Sequence, residues 1–124
     1  MPTPSAYRPG DIVRVRLQET RGGGKMRWMV VLSDLKEHRG QWCHLCAAIT
    51  TTFPNPVPSV NVPVSWHPDG RACTGLRRRS AVVLDWMRRI PPNEILSKDG
   101  YLPDDDLTNL FRMLEAFEQN QRPT

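Results

Sequence analysis

A mainly β (α+β) fold, a small curled antiparallel sheet or barrel with one C-terminal helix packed against it, is what the 124-residue sequence predicts. Three observations carry that expectation. "DIVRVRLQ" alternates, with Val13, Val15 and Leu17 on one face and Arg14 and Arg16 on the other, as a half-buried strand does. "WMVVLS" and "WCHLCAAIT" are apolar runs of strand length on either side of "DLKEHRGQ", whose polar residues and glycine suit the turn of a hairpin. "LPDDDLTNLFRMLEAFEQ" sets Leu107, Leu110, Phe111, Leu114 and Phe117 at helical spacing.

Taken in order, the first strand leads into "RGGGK", a glycine loop framed by Arg21, Lys25 and Arg27. The apolar hairpin follows, its outgoing strand reading as buried on both faces. Proline-rich "FPNPVPS" is an irregular loop. "VNVPVSW" alternates again, but Pro63 has no amide hydrogen and assigns this piece to an edge strand or a bulge. "HPDGRACTG" has turn chemistry, strongest at Asp69-Gly70, and "SAVVLDWMRRI" is a further strand. Pro103 near the start of the helix and Asp104, Asp105 and Asp106 in its first turn suit a helix N-terminus and its dipole. No repeat or internal boundary appears, so residues 9–119 are expected to be one domain between flexible segments 1–8 and 120–124.

With 39% apolar and 24% charged residues, the composition is that of a globular chain. No apolar run approaches the roughly 20 residues of a membrane span. "MPTPSAYRPG" lacks the order of a signal peptide, so a cytoplasmic protein is expected. Three cysteines, an odd number, do not suggest a disulfide framework. Cys43 and Cys46 have Cys-x-x-Cys spacing, but residues three apart on a strand point to opposite faces. They cannot easily converge on a tetrahedral zinc, so small buried thiols and no metal or cofactor are expected. Residues 1–99 hold 15 Lys/Arg against 8 Asp/Glu, and residues 100–124 hold 2 against 5. The basic body suits a polyanion or an acidic protein partner.

The glycine loop is not a nucleotide-binding P-loop. That pattern needs glycine at Glu19 and Ser or Thr at Met26. A different chemistry arises from hairpin register. Centred on His38 and Arg39, the hairpin pairs Leu32 with Leu45 and Arg27 with Thr50, whose Cβ atoms would lie about 5 Å apart, bringing a guanidinium and a hydroxyl together at the open end. Arginine's planar fork matches phosphate oxygens and stays charged. RNA supplies its own nucleophile, the neighbouring 2′-hydroxyl, so the protein need only position and stabilise. Histidine acid–base chemistry fits poorly: His38 lies at the hairpin tip, His44 is mid-strand, and His67 sits in a turn.

At this point the sequence resembles the PemK/MazF-like toxins of bacterial type II toxin–antitoxin systems. "PGDIVRVRL" resembles their opening strand, "GGGKMRWMVVLSD" the glycine-containing loop and apolar strand, and "AAITT" the strand ending in the active-site threonine. "TGLRRRSAVVLDWMRRI" resembles their Gly-Leu…Ser-Val-Val segment and "GYLPDDDLTNLFRMLEAF" the closing Gly-x-Leu motif and helix. The resemblance implies a compact SH3-like, CcdB-like β-barrel, a homodimer, and a metal-independent endoribonuclease that cuts single-stranded RNA to a 2′,3′-cyclic phosphate and a 5′-hydroxyl. By position, Arg27 takes the catalytic arginine, Thr50 the catalytic threonine, and Asp85 the place where several relatives carry an acidic residue. Arg21 and Lys25 in the glycine loop, Thr51 beside Thr50, and Arg77 and Arg78 are the expected RNA contacts. The implied protein partner is an antitoxin with an acidic, disordered tail. Two departures stand out: Trp28 replaces the usual proline, and Val83 replaces an arginine some relatives use. The rival readings are a CcdB-like toxin that binds gyrase and a non-catalytic binder of RNA or protein.

Overall fold

Residues 5–17 and 24–121 are described by the structure, a computed structural model. The elements in chain order are β1 (Asp11–Leu17), β2 (Lys25–Val31), β3 (Lys36–His38), β4 (Gln41–Thr50), β5 (Asn61–Val64), β6 (Ser80–Ile90), a 3-10 turn (Pro92–Glu94), β7 (Ile95–Tyr101) and α1 (Asp104–Gln121). The pairings are antiparallel, in the order β5-β6-β4-β2-β1-β7, with β3 paired to β4 off this path. The expected class, a mostly antiparallel sheet with one C-terminal helix, is the class observed.

Alternation decides which side chains are buried. On β1, Val13 and Val15 are buried while Arg16 is exposed. The apolar run of β2 feeds both faces: Val30 joins one core, with Ile12, Ala47, Val82 and Leu84, while Met29 and Val31 join a second, with Val13, Val15, Cys46 and Ile90. Helix α1 covers the first core through Leu110 and Leu114. Its first bond runs from Leu107 N–H to the Pro103 carbonyl (3.0 Å), and the Asp106 carboxylate accepts from the Ser65 amide at 2.7 Å.

The expected barrel is not closed by strand pairing: among the described residues, the edge strands β5 and β7 do not meet. Pro63 does lie on an edge strand, as its missing donor requires. The segment between β5 and β6 spans the gap instead. Thr74 Oγ1 donates to the Ser65 carbonyl (2.7 Å), His67 N–H to the Leu76 carbonyl (2.9 Å), and Tyr101 N–H to the Cys73 carbonyl (2.9 Å). Two glycines make that approach close. A Cβ on Gly75 would lie 2.6 Å from the Asp99 carbonyl oxygen, and one on Gly100 only 2.4 Å from backbone atoms of Cys73 and Thr74.

His44 is fully buried and structural. Its Nδ1 lies 2.8 Å from the Ser33 carbonyl, which can only accept, so the proton sits there and Nε2 accepts from the Ser5 hydroxyl at 2.7 Å. Cys43 and Cys46 are free and buried, and burial pushes the Cys46 thiol up to about 12, far from a reactive thiolate. No helix among the described residues is long and apolar enough to cross a membrane.

Candidate functional site

The hairpin register is the one read from the sequence: Met29 faces Ala48, Val30 faces Ala47 and Val31 faces Cys46. Carried two residues further, it sets Arg27 opposite Thr50, but the ladder ends at Met29 and Ala48. Beyond Ala47, an irregularity in the β4–β6 pairing takes β4 from Met87 to Val82 as its partner. Asp85 lies within this irregularity and is exposed. Arg27 is also exposed; its Cζ lies 5.5 Å from the Trp86 ring centroid. The Thr50 hydroxyl both donates to the Thr52 carbonyl and accepts from the Thr52 amide, at 3.1 Å each, turning the chain as the strand ends.

On the other face of β2, a row crosses three strands: Trp28 on β2 faces Arg14 on β1, and Arg14 faces Ser97 on β7. Asp99 gathers this row. Its Oδ2 accepts from the Trp28 indole N–H (2.7 Å) and from Arg14 (2.9 Å), while Oδ1 accepts from the Ser97 hydroxyl (2.9 Å). Arg14, Trp28 and Asp99 line a groove of about 840 Å³, whose lining also includes Thr51, Arg77, Arg78 and Lys98. A pocket of about 320 Å³ adjoins it, lined by Arg14, Met26, Arg27 and Trp28, so Arg14 and Trp28 belong to both.

The structure thus brings Thr51, Arg77 and Arg78 together in one groove and sets Arg27 in the pocket beside it. Thr50, Asp85 and Lys25 line neither cavity, and Arg21 lies outside the described residues. Arg79 is turned elsewhere, with its guanidinium 3.8 Å from the Phe53 ring centroid and donating to the Phe53 carbonyl. Sequence reasoning did not find Arg14, Lys98 or Asp99. Arg14 was visible only as the polar side of an alternating strand, and the other two lie in a segment with no strand pattern.

The family model for the PemK-like, MazF-like toxin of type II toxin–antitoxin systems matches residues 8–117. The chain belongs to this family. Among solved structures, this PemK/MazF-like toxin is similar to the Mycobacterium tuberculosis toxin MazF-mt6, with 27% identity, a TM-score of 0.62, and coverage of 90% of this chain and 97% of that one. It shares its fold with MazF from Deinococcus radiodurans, at 16% identity and a TM-score of 0.63, covering 91% of this chain and 96% of that one. A chain of the MazE-MazF structure from the same organism matches at 15% identity and a TM-score of 0.62, with 91% and 96% covered. No curated protein matches.

In this PemK/MazF-like toxin, burial of Asp99 works against its charge. Hydrogen bonds from Trp28 and Ser97, together with the nearby Arg14 guanidinium, outweigh that effect and hold the carboxyl below its usual range. A lowered folded-state value means that the stabilisation is complete above the ordinary carboxylate value of about 4 and is lost as pH falls through the folded one. Asp99→Asn is therefore expected to be less stable than the unchanged toxin at pH 7 and to approach its stability at strongly acid pH. Urea midpoints at the two pH values provide the check.

Proposed function

We propose that this toxin is a metal-independent endoribonuclease that cuts single-stranded RNA at preferred sequences. The observation that carries the reading is the cationic groove, with Arg14, Arg77, Arg78 and Lys98 along its lining, adjoining the pocket that holds Arg27. Such a lining suits a phosphodiester backbone, and the groove is open to an extended strand.

In this reading the 2′-oxygen attacks the adjacent phosphorus as the bond to the 5′-oxygen breaks. The products are a 2′,3′-cyclic phosphate and a 5′-hydroxyl. Arg27 stabilises the charge that builds on the phosphoryl oxygens and donates a hydrogen bond to the leaving oxygen, which takes up a proton from water. Asp85 is the proposed acceptor of the 2′-hydroxyl proton. Thr50 orients the attacking group, which requires its hydroxyl to release the Thr52 carbonyl. Arg77, Arg78 and Thr51 hold the flanking backbone, with Lys25 and Arg21 as further proposed RNA contacts. A homodimer and an antitoxin with an acidic, disordered tail complete the proposal; the basic body suits such a tail as well as RNA.

Purified toxin should cleave a long unstructured RNA in EDTA and leave cyclic-phosphate ends. RNA left intact, with chelator and with added magnesium, by a preparation that inhibits gyrase would overturn this reading in favour of a CcdB-like activity.

A further inference from the structure

We propose that Trp28 is a base-stacking platform and that Asp99 is the positioning residue that fixes its plane. The proposal rests on the RNA-cleaving reading and deepens it. Trp28 belongs to both cavities, yet 41% of its surface is exposed, where an indole gains little from burial. An exposed aromatic plane beside cationic side chains is a surface on which a nucleobase can stack.

The exposed ring is also restrained. Its N–H donates to Asp99 Oδ2, and Asp99 is itself held by Ser97 and Arg14. Arg14 Cζ stands 5.7 Å from the ring centroid, within cation–π range. An indole tied at its nitrogen and backed by a guanidinium keeps one orientation, so little freedom is lost when a base is laid against it. Cations near such a plane make the two-part surface that binds single strands, with phosphates on the charges and a base on the ring.

The test uses the whole toxin and 2′-O-methyl RNA oligonucleotides, which bind but offer no nucleophile. Fluorescence anisotropy should show Trp28→Ala weakening affinity by roughly 5- to 100-fold, with the salt dependence unchanged because the phosphate contacts remain. Trp28→Phe should keep most of the affinity. Asp99→Ala should lose part of it, and Asp99→Asn, which keeps an acceptor for the indole, should restore it. An oligonucleotide carrying 2-aminopurine should be quenched by the unchanged toxin and less so by Trp28→Ala.

If Trp28→Ala binds the oligonucleotide as tightly as the unchanged toxin, the platform is rejected. That is also the result expected of a surface kept only for an acidic peptide. In that case the unchanged toxin still cuts RNA and the nuclease reading survives. If the unchanged toxin neither binds the oligonucleotide nor cuts unmodified RNA, both proposals fall together.

Discussion

Replacing Arg27 with alanine is expected to slow RNA cleavage by roughly 100-fold or more, the usual cost of deleting a group aimed at charge that develops in the transition state. The side chain is exposed near the start of β2 and stands over Trp86. Its loss should therefore change stability by no more than about 1 kcal/mol. Rate and stability are then separable: single-turnover cleavage of a labelled RNA should collapse while the melting temperature barely moves. Arg27→Lys keeps a charge but not the planar fork, so it should recover only part of the rate. An alanine variant that cuts within threefold of the unchanged toxin would remove Arg27 from the mechanism.

Among the described glycines, Gly100→Ala should be the most damaging change to alanine. The added carbon would sit 2.4 Å from the Cys73 carbonyl oxygen and from two backbone atoms of Thr74, none of which is the yielding end of a side chain. Overpacking against rigid backbone costs roughly 3 kcal/mol or more when nothing can give. Gly40 is the control, because a Cβ there meets nothing within 4 Å and only its φ of +80° opposes alanine, at about 1–2 kcal/mol. Urea denaturation should place Gly100→Ala well below Gly40→Ala. The displaced segment also carries Arg77 and Arg78 into the groove, so oligonucleotide binding should fall with stability.

Strands with a strong side-to-side contrast could be read directly. The alternation of β1, the two-faced run of β2, the edge position forced by Pro63 and the helical spacing of Leu107 to Phe117 all follow from where apolar atoms must go. Hairpin register was legible for the same reason, since a slip by one residue would turn Met29 and Val31 out of their core. β7 was not legible. Only Ile95 in it is buried, and its pairing with β1 shifts twice along its length, so no period of two survives in the sequence. The charged row across Arg14, Trp28 and Asp99 was hidden with it, because its members are brought together by that irregular pairing.

Arg27 and Thr50 show the limit in another way. The register that sets them opposite is correct, yet the ladder stops short of them and β4 changes its partner. Pattern alone fixes which face a side chain takes. It does not fix where a strand leaves its neighbour.

The union of β1 with β7 joins residues more than eighty positions apart, at Asp11 with Tyr101 and at Arg14 with Ser97. A growing polypeptide that has reached only Ile90 carries the hairpin, the cations of β1 and the basic run before β6, but lacks Lys98 and Asp99. The groove lined by Arg14, Trp28, Arg77, Arg78, Lys98 and Asp99 therefore takes shape only once the segment through Tyr101 has been made.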